Sequence, residues 1–417
     1  MSSTPQPLAI VVSAPNRDYS EAPVSVAVPA QGQCGCAALK QLEPAADVPC
    51  QVAVQNDEAT VTWIVRDLKK GDSRAYELSC SDQPASAGGV TLEHGADDVR
   101  VDIDGELFTR YYYRGVPKPV LWPIIGPTGK SITRVYPMQD ALETERDDHH
   151  HHRGLFFTHG DVNGTCFWSE GEESGRGVHR EFLEVDGGPV YAVIKTANDW
   201  MVGQWAKQEP RIADGVRLDE WAPVGEPEKL CEDEREIVVY RVENGRLLDF
   251  TITMRATEKD LVFGDTKEGS FGIRVAGTMK VTSELGGRIL NARGDTDDEA
   301  WGKQAEWCDY HGPVNGDTVG VAILDHPSSF RHPTHWHVRT YGLFAVNPFG
   351  LHDYLGEGPD DLGNHTVPQG ETVTFKYRIF IHEGDTAAAG VEDVYGAYTD
   401  PPVVEVQCPP PCGTACP

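Results

Sequence analysis

The segment LDFTITMRA, from Leu248 to Ala256, alternates apolar and polar side chains along its whole length. Successive side chains of a β-strand point to opposite faces of its sheet, so this pattern predicts a strand with one buried and one solvated face. Similar segments recur between about residues 90 and 383, and the clearest of them span residues 99–103, 107–113, 190–196, 236–242, 272–275, 319–324, 341–346 and 372–381. Because a helical pattern occurs only near residues 387–398, this region predicts a large two-sheet antiparallel sandwich.

A smaller β pattern precedes this region. Short alternating segments at residues 8–12, 24–28, 51–55 and 59–65 are separated by Pro, Gly, Asn and Asp, as is typical of a small Ig-like sandwich. The Ser-, Pro-, Ala- and Gly-rich residues 81–89 predict a linker. We therefore expect an all-β chain, with an Ig-like β-sandwich over residues 1–88, a large antiparallel β-sandwich over residues 89–400 and a Cys- and Pro-rich tail over residues 401–417.

Length and charge restrict the class of protein. The chain has 417 residues, enough for two domains, and its 39% hydrophobic and 24% charged residues are typical of a soluble globular protein. A formal net charge of −29 argues against binding to nucleic acid or to an anionic membrane, because both require a basic protein surface. No apolar run is long enough to span a bilayer, and the first residues lack the basic start of a signal peptide. We expect a cytoplasmic protein, whose oligomeric state the sequence does not define.

The ten cysteines are too sparse for a disulfide framework in a protein of this size. A cytoplasmic location predicts that most of them are reduced. Three of them, Cys408, Cys412 and Cys416, lie in the Pro-rich tail. Three thiolates lack the fourth ligand of a structural metal site, so an unstructured or oxidisable tail is the favoured interpretation and a soft-metal site is the alternative.

Four consecutive histidines occupy residues 149–152. Histidine is the side chain most easily tuned for proton transfer near neutral pH, and it is the commonest metal ligand. In an extended chain alternate residues face opposite sides, so the four imidazoles cannot converge without a turn. We expect His151 or His152 to be a general acid, and the alternative is a polar loop with hydrogen-bonded imidazoles. The neighbouring candidates for substrate binding are Arg153, His159 and Asn163.

A second group of histidines lies downstream. His335 and His337 are two residues apart, so a strand would place them on one face and Trp336 on the other. Aromatic residues are dense here, and an aromatic wall with polar edges suits a sugar ring, although a large β core also needs aromatic side chains. If the fold brings the two histidine groups together, they form an active site. The substrate-binding candidates in this part of the chain are Asp309, His311, His326, His335 and Trp336.

The segment KEGSFGIR, residues 267–274, lies between the two histidine groups. A Lys-Glu-Gly turn that enters a strand with an inward Arg is typical of a carboxylate–guanidinium arrangement. We expect Glu268 or His337 to act as the general base and Arg274 to hold oxygen atoms of the substrate. The alternative is an ordinary surface ion pair.

Three functions fit these groups. The first is a carbohydrate-active enzyme that uses His and Glu side chains for hydrolysis, elimination or epimerisation of a sugar or a keto-sugar glycoside. The second is an oxygenase that depends on a divalent or transition metal, and its candidate ligands are His159, His326, His335 and His337 with a carboxylate such as Asp309. The third is a non-catalytic sugar-binding module. Sequence motifs for nucleotide phosphates, dinucleotides, serine nucleophiles and zincins are missing.

Residues from about 99 to 383 resemble an uncharacterised bacterial domain family that carries the label methane oxygenase PmoA. The resemblance rests on the segments KPVLWPI (118–124), TRVYP (133–137), DHHHHRG (148–154), GDVNG (160–164), FW (167–168), KEG (267–269), WCDY (307–310), DHP (325–327), WHVR (336–339) and NPFG (347–350). Many relatives have Pro in place of His150, which favours His151 and His152 as site residues. A particulate methane oxygenase subunit spans a membrane, so the label does not describe a chain without a spanning segment. The resemblance implies a supersandwich similar to that of aldose epimerases, which act mainly on carbohydrates through His and carboxylate acid–base pairs.

Overall fold

The computed structural model of the chain describes residues 7–29, 36–56, 58–81 and 88–407. The first strands are β1 (Leu8–Ser13), β2 (Tyr19–Pro29), β3 (Cys36–Gln41), β4 (Ala46–Val48), β5 (Cys50–Gln55), β6 (Glu58–Leu68), β7 (Ser73–Ser81), β8 (Val90–His94), β9 (Asp98–Ile103), β10 (Glu106–Tyr112), β11 (Val120–Ile124), β12 (Leu155–His159), β13 (Arg176–Asp186) and β14 (Tyr191–Lys207). They are followed by β15 (Arg211–Ala213), β16 (Val216–Leu218), β17 (Trp221–Tyr240), β18 (Arg246–Arg255), β19 (Leu261–Phe263), β20 (Gly269–Arg274), β21 (Arg288–Asn291), β22 (Trp307–Val314), β23 (Asp317–Asp325), β24 (Trp336–Val338), β25 (Leu343–Val346), β26 (His365–Val367), β27 (Thr372–Glu383) and β28 (Val403–Gln407). The α-helices are α1 (Leu351–Leu355) and α2 (Val391–Thr399). Most of the expected linker, residues 82–87, lies outside the described residues.

The N-terminal sandwich consists of a five-stranded sheet, in the order β28-β1-β7-β3-β4, and a three-stranded sheet, β2-β6-β5. Its core packs Trp63 against Tyr76, with ring centroids 5.6 Å apart. Strand β28 comes from the end of the chain and runs antiparallel to β1, with Ala9 opposite Gln407. The first residues of the expected tail are therefore a strand of the first domain, because β1 offers them an open sheet edge. The three cysteines of the tail lie in residues 408–417, outside the described residues.

The second domain is a sandwich of two eight-stranded antiparallel sheets. The front sheet has the order β24-β25-β20-β12-β11-β10-β9-β8, and the back sheet has the order β13-β14-β17-β18-β27-β23-β22-β21. Strand β18 contains the alternating segment, and its apolar side chains Leu248, Phe250, Ile252 and Met254 are buried in the main core between the two sheets. The expected all-β fold with a large antiparallel sandwich is confirmed.

The outer face of the back sheet carries the first domain. Leu247 and Phe380 of this sheet share an apolar cluster with Ile64 of the N-terminal sandwich and Val391 of α2. The side-chain oxygen of Gln51 accepts hydrogen bonds of 3.2 and 3.1 Å from two backbone N–H groups at the start of β14. The N-terminal sandwich is therefore fixed to one side of the molecule, and the outer face of the front sheet lies on the other side.

The sequence also predicted the position of a helix and the state of the cysteines. The helical pattern near residues 387–398 corresponds to α2. None of the helices in the described ranges is long and apolar enough to cross a membrane. Cys80 is disulfide-bonded, whereas Cys166, Cys231 and Cys308 are free thiols. One bonded cysteine beside these three free thiols is compatible with the expectation that most of the cysteines are reduced, and the cytoplasmic location stays a prediction.

Candidate active site

The four consecutive histidines form a turn before β12. His149 has a positive φ of 46°, and its carbonyl accepts a hydrogen bond of 2.9 Å from the backbone N–H of His152. The ring centroids of His151 and His152 lie 4.4 Å apart, and the rings of His149 and His152 stack at 5.0 Å. The turn replaces the extended arrangement that would separate alternate imidazoles. It brings the rings of His149, His151 and His152 together, and the ring of His150 lies 5.7 Å from that of His151.

A buried ion network lies beneath this turn. Arg153 donates hydrogen bonds of 2.8 to 3.1 Å to Glu170 and one of 2.7 Å to Asp219, and Lys118 donates one of 2.9 Å to Glu170. The four side chains are at most 4% exposed. Burial alone would raise the pKa of Glu170, but the charges of Arg153 and Lys118 hold it well below its ordinary value. The guanidinium of Arg153, which we expected to hold substrate oxygens, is thus occupied in fixing the turn from below.

Gly154 ends the turn where the chain enters β12. Its φ is +54°, and a Cβ atom at this position would overlap the carbonyl oxygen of Leu121 on β11. We therefore expect Gly154→Ala to lower the free energy of unfolding by about 2 kcal/mol or more, because the left-handed backbone and the contact both disfavour a side chain. Urea unfolding followed by tryptophan fluorescence measures this loss.

Gly129→Ala is the matched control for this substitution. Gly129 also has a positive φ, of 74°, but a Cβ atom there meets no other atom within 4 Å. Its substitution should therefore report the backbone contribution alone, and it should cost less than Gly154→Ala. Equal losses in the two variants would show that the contact with Leu121 contributes nothing.

His152 is 1% exposed, and its tautomer is set by Arg274. A nitrogen of the Arg274 guanidinium lies 3.0 Å from His152 Nδ1. A guanidinium only donates, so Nδ1 accepts and the neutral ring carries its proton on Nε2. Burial, followed by the charges of His151 and Arg274, lowers the pKa of His152 well below its ordinary value. Within the described part of the chain Nε2 has no hydrogen-bond partner, so His152 is a neutral ring with an unused N–H donor.

His337 has the same arrangement on β24. The indole Nε1 of Trp301 lies 3.1 Å from His337 Nδ1. An indole N–H only donates, so the neutral ring of His337 also carries its proton on Nε2. Burial, followed by the charge of Arg339, lowers the pKa of His337 to about 3. Both histidines are therefore neutral at physiological pH, and a neighbouring side chain orients the N–H donor of each.

Trp168 connects the two histidine groups. Its ring centroid lies 5.5 Å from that of His152 and 6.2 Å from that of His151. On its other side it lies 6.5 Å from the ring centroid of His337. The neighbours of His337 in β24 point into the main core, so these contacts are on the outer face of the front sheet. The structure thus places histidines from both parts of the sequence around one tryptophan.

Glu268, an expected general base, lies at the rim of this group. Its side chain is 39% exposed, and partial burial raises its pKa, although the charges of Lys267 and His149 act in the opposite direction. Tyr341 links the rim to the turn, because its ring stacks on that of His149 at 5.4 Å and lies 4.8 Å from the Arg274 guanidinium. We define the site cluster as His151, His152, Trp168, Glu268 and His337.

Arg134 and Arg274 hold the turn from the side of Asp148. Arg134 lies 3.2 Å and Arg274 3.6 Å from the same oxygen of this carboxylate. Burial alone would raise the pKa of Asp148, but the hydrogen bond from His149 and the charge of Arg274 lower it. Arg274, which we expected to hold substrate oxygens, orients His152 and keeps its Nε without a partner among the described residues.

His335 and Trp336 lie beside the site cluster. His335 Nδ1 donates to the carbonyl of Gly302 over 2.8 Å, and the His335 ring stacks on Tyr354 with centroids 5.6 Å apart. Trp336 is fully buried in the main core and donates to the carbonyl of Ala305 over 3.0 Å. Trp336 therefore lies on the face of β24 opposite to His337, as the alternation predicts, and the substrate-binding candidate does not contact Trp168.

Three other candidates lie away from the site cluster. His159 is fully buried and its Nε2 lies 2.8 Å from the carbonyl oxygen of Gly264. The side chain of Asn163 forms two hydrogen bonds of 2.9 Å with the backbone around β19. His326 Nδ1 lies 2.8 Å from the hydroxyl of Ser328. Each of these side chains holds a loop in place, and the structure does not bring them together.

Asp309 and His311 belong to a separate buried cluster on the back sheet. Asp309 accepts hydrogen bonds of 3.0 Å from His311 and His382, and another from Thr386. Burial alone would raise the pKa of Asp309, but these two histidines lower it to about 2. His382 lines a groove together with Glu21 of the first domain. This cluster therefore faces the N-terminal sandwich, on the side of the molecule opposite to Trp168.

The candidate metal ligands are scattered. His159, His326 and His335 bind different backbone or hydroxyl groups, and His337 binds Trp301. Within residues 7–29, 36–56, 58–81 and 88–407, no group of three or more His, Cys, Asp and Glu side chains is placed to hold a metal ion. The metal-dependent oxygenase thus stays a prediction, and no metal takes part in the function proposed below.

Sequence reasoning did not single out several residues that complete the site. Trp301 and Tyr341 fall in a region that is visibly rich in aromatic residues, and Arg339 follows His337 by two positions. Trp168 stands in a polar loop, and its only sequence signal is its place in the family resemblance. Tyr354 on α1 has no local signal, because its contact with His335 depends on the tertiary fold.

A family model described as Family of unknown function (DUF6807) matches residues 98–396. The chain belongs to this family. The match contains the whole site cluster and leaves out most of the N-terminal sandwich. It agrees with the resemblance to an uncharacterised family, and the label methane oxygenase PmoA is not part of the description of the family. Among proteins of curated function, none matches the chain.

Three solved structures are similar to the chain at low sequence identity. A protein in the glycosyl hydrolase family 38 from Enterococcus faecalis has 11% identity and a TM-score of 0.46, covering 96% of this chain and 47% of that chain. An alpha-mannosidase from Enterococcus faecalis V583 has 10% identity and a TM-score of 0.45, covering 96% and 46%. A galactose mutarotase-like protein from Lactobacillus casei ATCC 334 has 10% identity and a TM-score of 0.30, covering 70% and 100%. The chain spans about half the length of the two Enterococcus proteins, and the activity proposed below rests on the site alone.

Proposed function

We propose that this protein is a carbohydrate-active enzyme that removes a proton next to the carbonyl group of a sugar or keto-sugar glycoside, and so catalyses an elimination or an epimerisation. One observation carries the proposal. His152 and His337 are neutral rings with oriented N–H donors, and both contact Trp168 close to the rim at Glu268. A buried N–H group without a partner costs free energy, so the unused donor of His152 is best explained by a ligand that accepts from it.

The proposed reaction assigns one role to each group. The carboxylate of Glu268 takes the proton from carbon, the C–H electron pair forms a carbon–carbon double bond, and the carbonyl oxygen becomes an enolate. His152 and His337 donate hydrogen bonds to this oxygen, and fixed donors that need no reorganisation stabilise such a charge strongly. Delivery of a proton from solvent to the opposite face, with release of the proton held by Glu268 to solvent, gives the epimer. Alternatively, an oxygen substituent on the next carbon takes the proton from Glu268 and leaves as an alcohol, which gives the elimination product.

The imidazoles act as hydrogen-bond donors in this proposal, in place of the general acid that the sequence suggested. Burial, followed by the charge of Lys118, lowers the pKa of His151 to about 3, and the pKa of His337 is lowered to the same range. An imidazole that is neutral at physiological pH has no acidic proton to transfer readily. A neutral imidazole can still polarise a carbonyl group, which matches proton removal from the neighbouring carbon.

Hydrolysis and simple binding fit the site less well. Glycoside hydrolysis ordinarily uses two carboxyl groups on either side of the scissile bond. Asp148, the second carboxylate near the turn, is already engaged by Arg134 and Arg274. A binding module would need the aromatic rings, but it would not need a carboxylate with a raised pKa beside two oriented imidazoles. The aromatic rim of Trp301 and Tyr341 supports a sugar as the substrate class, because its C–H face stacks on such rings.

A panel of 3-keto glycosides and the matching ordinary glycosides, incubated in D₂O, tests this function. We expect turnover of at least one keto-sugar substrate. Epimerisation should place deuterium on the carbon next to its carbonyl, and elimination should give an unsaturated product. His152→Ala should lower kcat about 10²- to 10³-fold, because it removes one donor to the enolate oxygen. His152→Gln, which keeps an N–H donor, should recover part of this loss.

His365→Ala is the control variant, since His365 lies on β26 and packs against Phe330 away from the site cluster. It should retain the full rate, and melting curves for each variant separate loss of fold from loss of function. Cleavage that gives neither deuterium exchange nor an unsaturated product would replace elimination or epimerisation by hydrolysis. The absence of turnover across the panel, together with unchanged ligand binding by His152→Ala, would refute the proposal that this protein is an enzyme.

A further inference from the structure

Arg339 lies beside two aromatic rings at the edge of the proposed site. Its guanidinium lies 5.4 Å from the ring centroid of Trp301 and 5.8 Å from that of Tyr341. Within the described part of the chain it forms no ion pair and no side-chain hydrogen bond. Two other guanidinium groups beside the turn, those of Arg134 and Arg274, share the single carboxylate of Asp148. Positive charge therefore exceeds negative charge among these groups, and Arg339 is the arginine that does not reach this carboxylate.

The position of Arg339 joins it to both halves of the site. Trp301 is shared, because its indole N–H binds His337 while its ring faces the Arg339 guanidinium. Tyr341 is shared as well, because its ring contacts the Arg339 guanidinium and stacks on His149 of the turn. The charge of Arg339 acts on the pKa values of Glu268 and His337. Arg339 is partly exposed, so a ligand can reach it from solvent.

We propose that the substrate carries a carboxylate, and that Arg339 binds this carboxylate and makes the enzyme selective for acidic sugars such as hexuronate units. This inference rests on the proposed function of the same site. A guanidinium presents paired N–H donors that match a carboxylate, and contact with two aromatic rings restricts its position before the ligand arrives.

Selectivity for an anion also follows from the difference in charge between Arg339 and the protein as a whole. The chain has a formal net charge of −29, which repels anions at long range. An acidic sugar can bind such a protein only where local cations exceed local acids. Because Arg339 is held by aromatic rings and not by a carboxylate, its charge is not neutralised before the ligand arrives.

Calorimetric titration of the full chain with matched pairs of sugars tests the inference. The probes are glucuronate with glucose, galacturonate with galactose, and mannuronate with mannose. We expect at least one hexuronate to bind about tenfold or more tightly than its neutral partner. Arg339→Gln should weaken that hexuronate about ten- to a hundredfold and leave the neutral sugar unchanged, because only the acid loses a charged hydrogen bond. Arg339→Lys should retain part of the preference.

Arg255→Gln is the matched control, because it removes the same charge from an exposed position at the end of β18. It should leave both affinities unchanged, and higher salt should weaken the hexuronate more than the neutral sugar. Equal binding of both members of a pair, or equal losses for both in Arg339→Gln, would overturn this inference and leave the proposed function standing. Absence of binding by all six sugars, with no turnover of the keto-sugar panel, would overturn both.

Discussion

Glu170→Gln should lower the free energy of unfolding by about 3–5 kcal/mol, because it breaks a buried ion network at its centre. The carboxylate of Glu170 is 1% exposed and accepts hydrogen bonds from both Lys118 and Arg153. Gln keeps the shape of the side chain but removes the charge, so two buried cations are left with Asp219 as the remaining carboxylate of the network. Urea unfolding at pH 7, followed by tryptophan fluorescence, measures the difference from the unmodified protein.

The pH dependence gives this prediction a second test. The pKa of Glu170 is lowered in the folded protein, so its contribution to stability is present above the pKa of an unfolded Glu, about 4.3, and is lost as the pH falls towards the folded pKa. The difference between the variant and the unmodified protein should therefore shrink below about pH 4. Glu220→Gln is the control, because its ion pair with Arg211 is about half exposed, and it should cost less than about 1 kcal/mol. A loss in Glu170→Gln no larger than this would show that the network does not stabilise the fold.

Glu268→Gln should lower kcat by about 10²- to 10⁴-fold on the keto-sugar substrate identified from the panel, because it removes the proposed general base. The amide has nearly the same shape, and the side chain is 39% exposed, so the fold should be unaffected. Rate measurements at saturating substrate, with melting curves of both proteins, separate these two outcomes. Glu371→Gln, on an exposed loop before β27, is the control and should keep the full rate.

The pH profile identifies the base more directly. A base must be deprotonated, so the rate should rise with pH through the pKa of Glu268, which partial burial places above the ordinary value for glutamate. The imidazoles of His151 and His337 have pKa values of about 3 and stay neutral over this range, so they should add no second step. The rising limb should disappear in Glu268→Gln. A residual activity that keeps the same limb would assign the base to another group.

The strands could be predicted from the sequence where one face meets the core and the other meets solvent. Strand β18 is an example, because every second side chain enters the main core. Strand β17 shows the limit of this reasoning, since the predicted segment 236–242 is the end of a strand that begins at Trp221. The first part of β17 pairs with β14 in a long hairpin that is exposed on both faces, so the alternation that marks a strand is weak there.

The candidate site was predictable only in part, because its contacts join residues that are distant in the sequence. The composition of residues 149–152 reveals a histidine cluster, but the turn that brings their rings together depends on buried partners such as Arg134. The tautomers of His152 and His337 depend on Arg274 and Trp301, which come from other strands and loops. Such pairings are set by the order of strands in the sheet, and no local pattern records that order.

The pairing of β28 with β1 affects the protein while it is being synthesised. Translation releases β1 before β28, so the edge of β1 stays open until residues 403–407 emerge and close it. An unpaired edge is a template for association with other chains, so β1 is vulnerable throughout synthesis of the supersandwich. The N-terminal sandwich is therefore completed only after the supersandwich has been made, and a truncation before residue 403 leaves the edge of β1 unprotected.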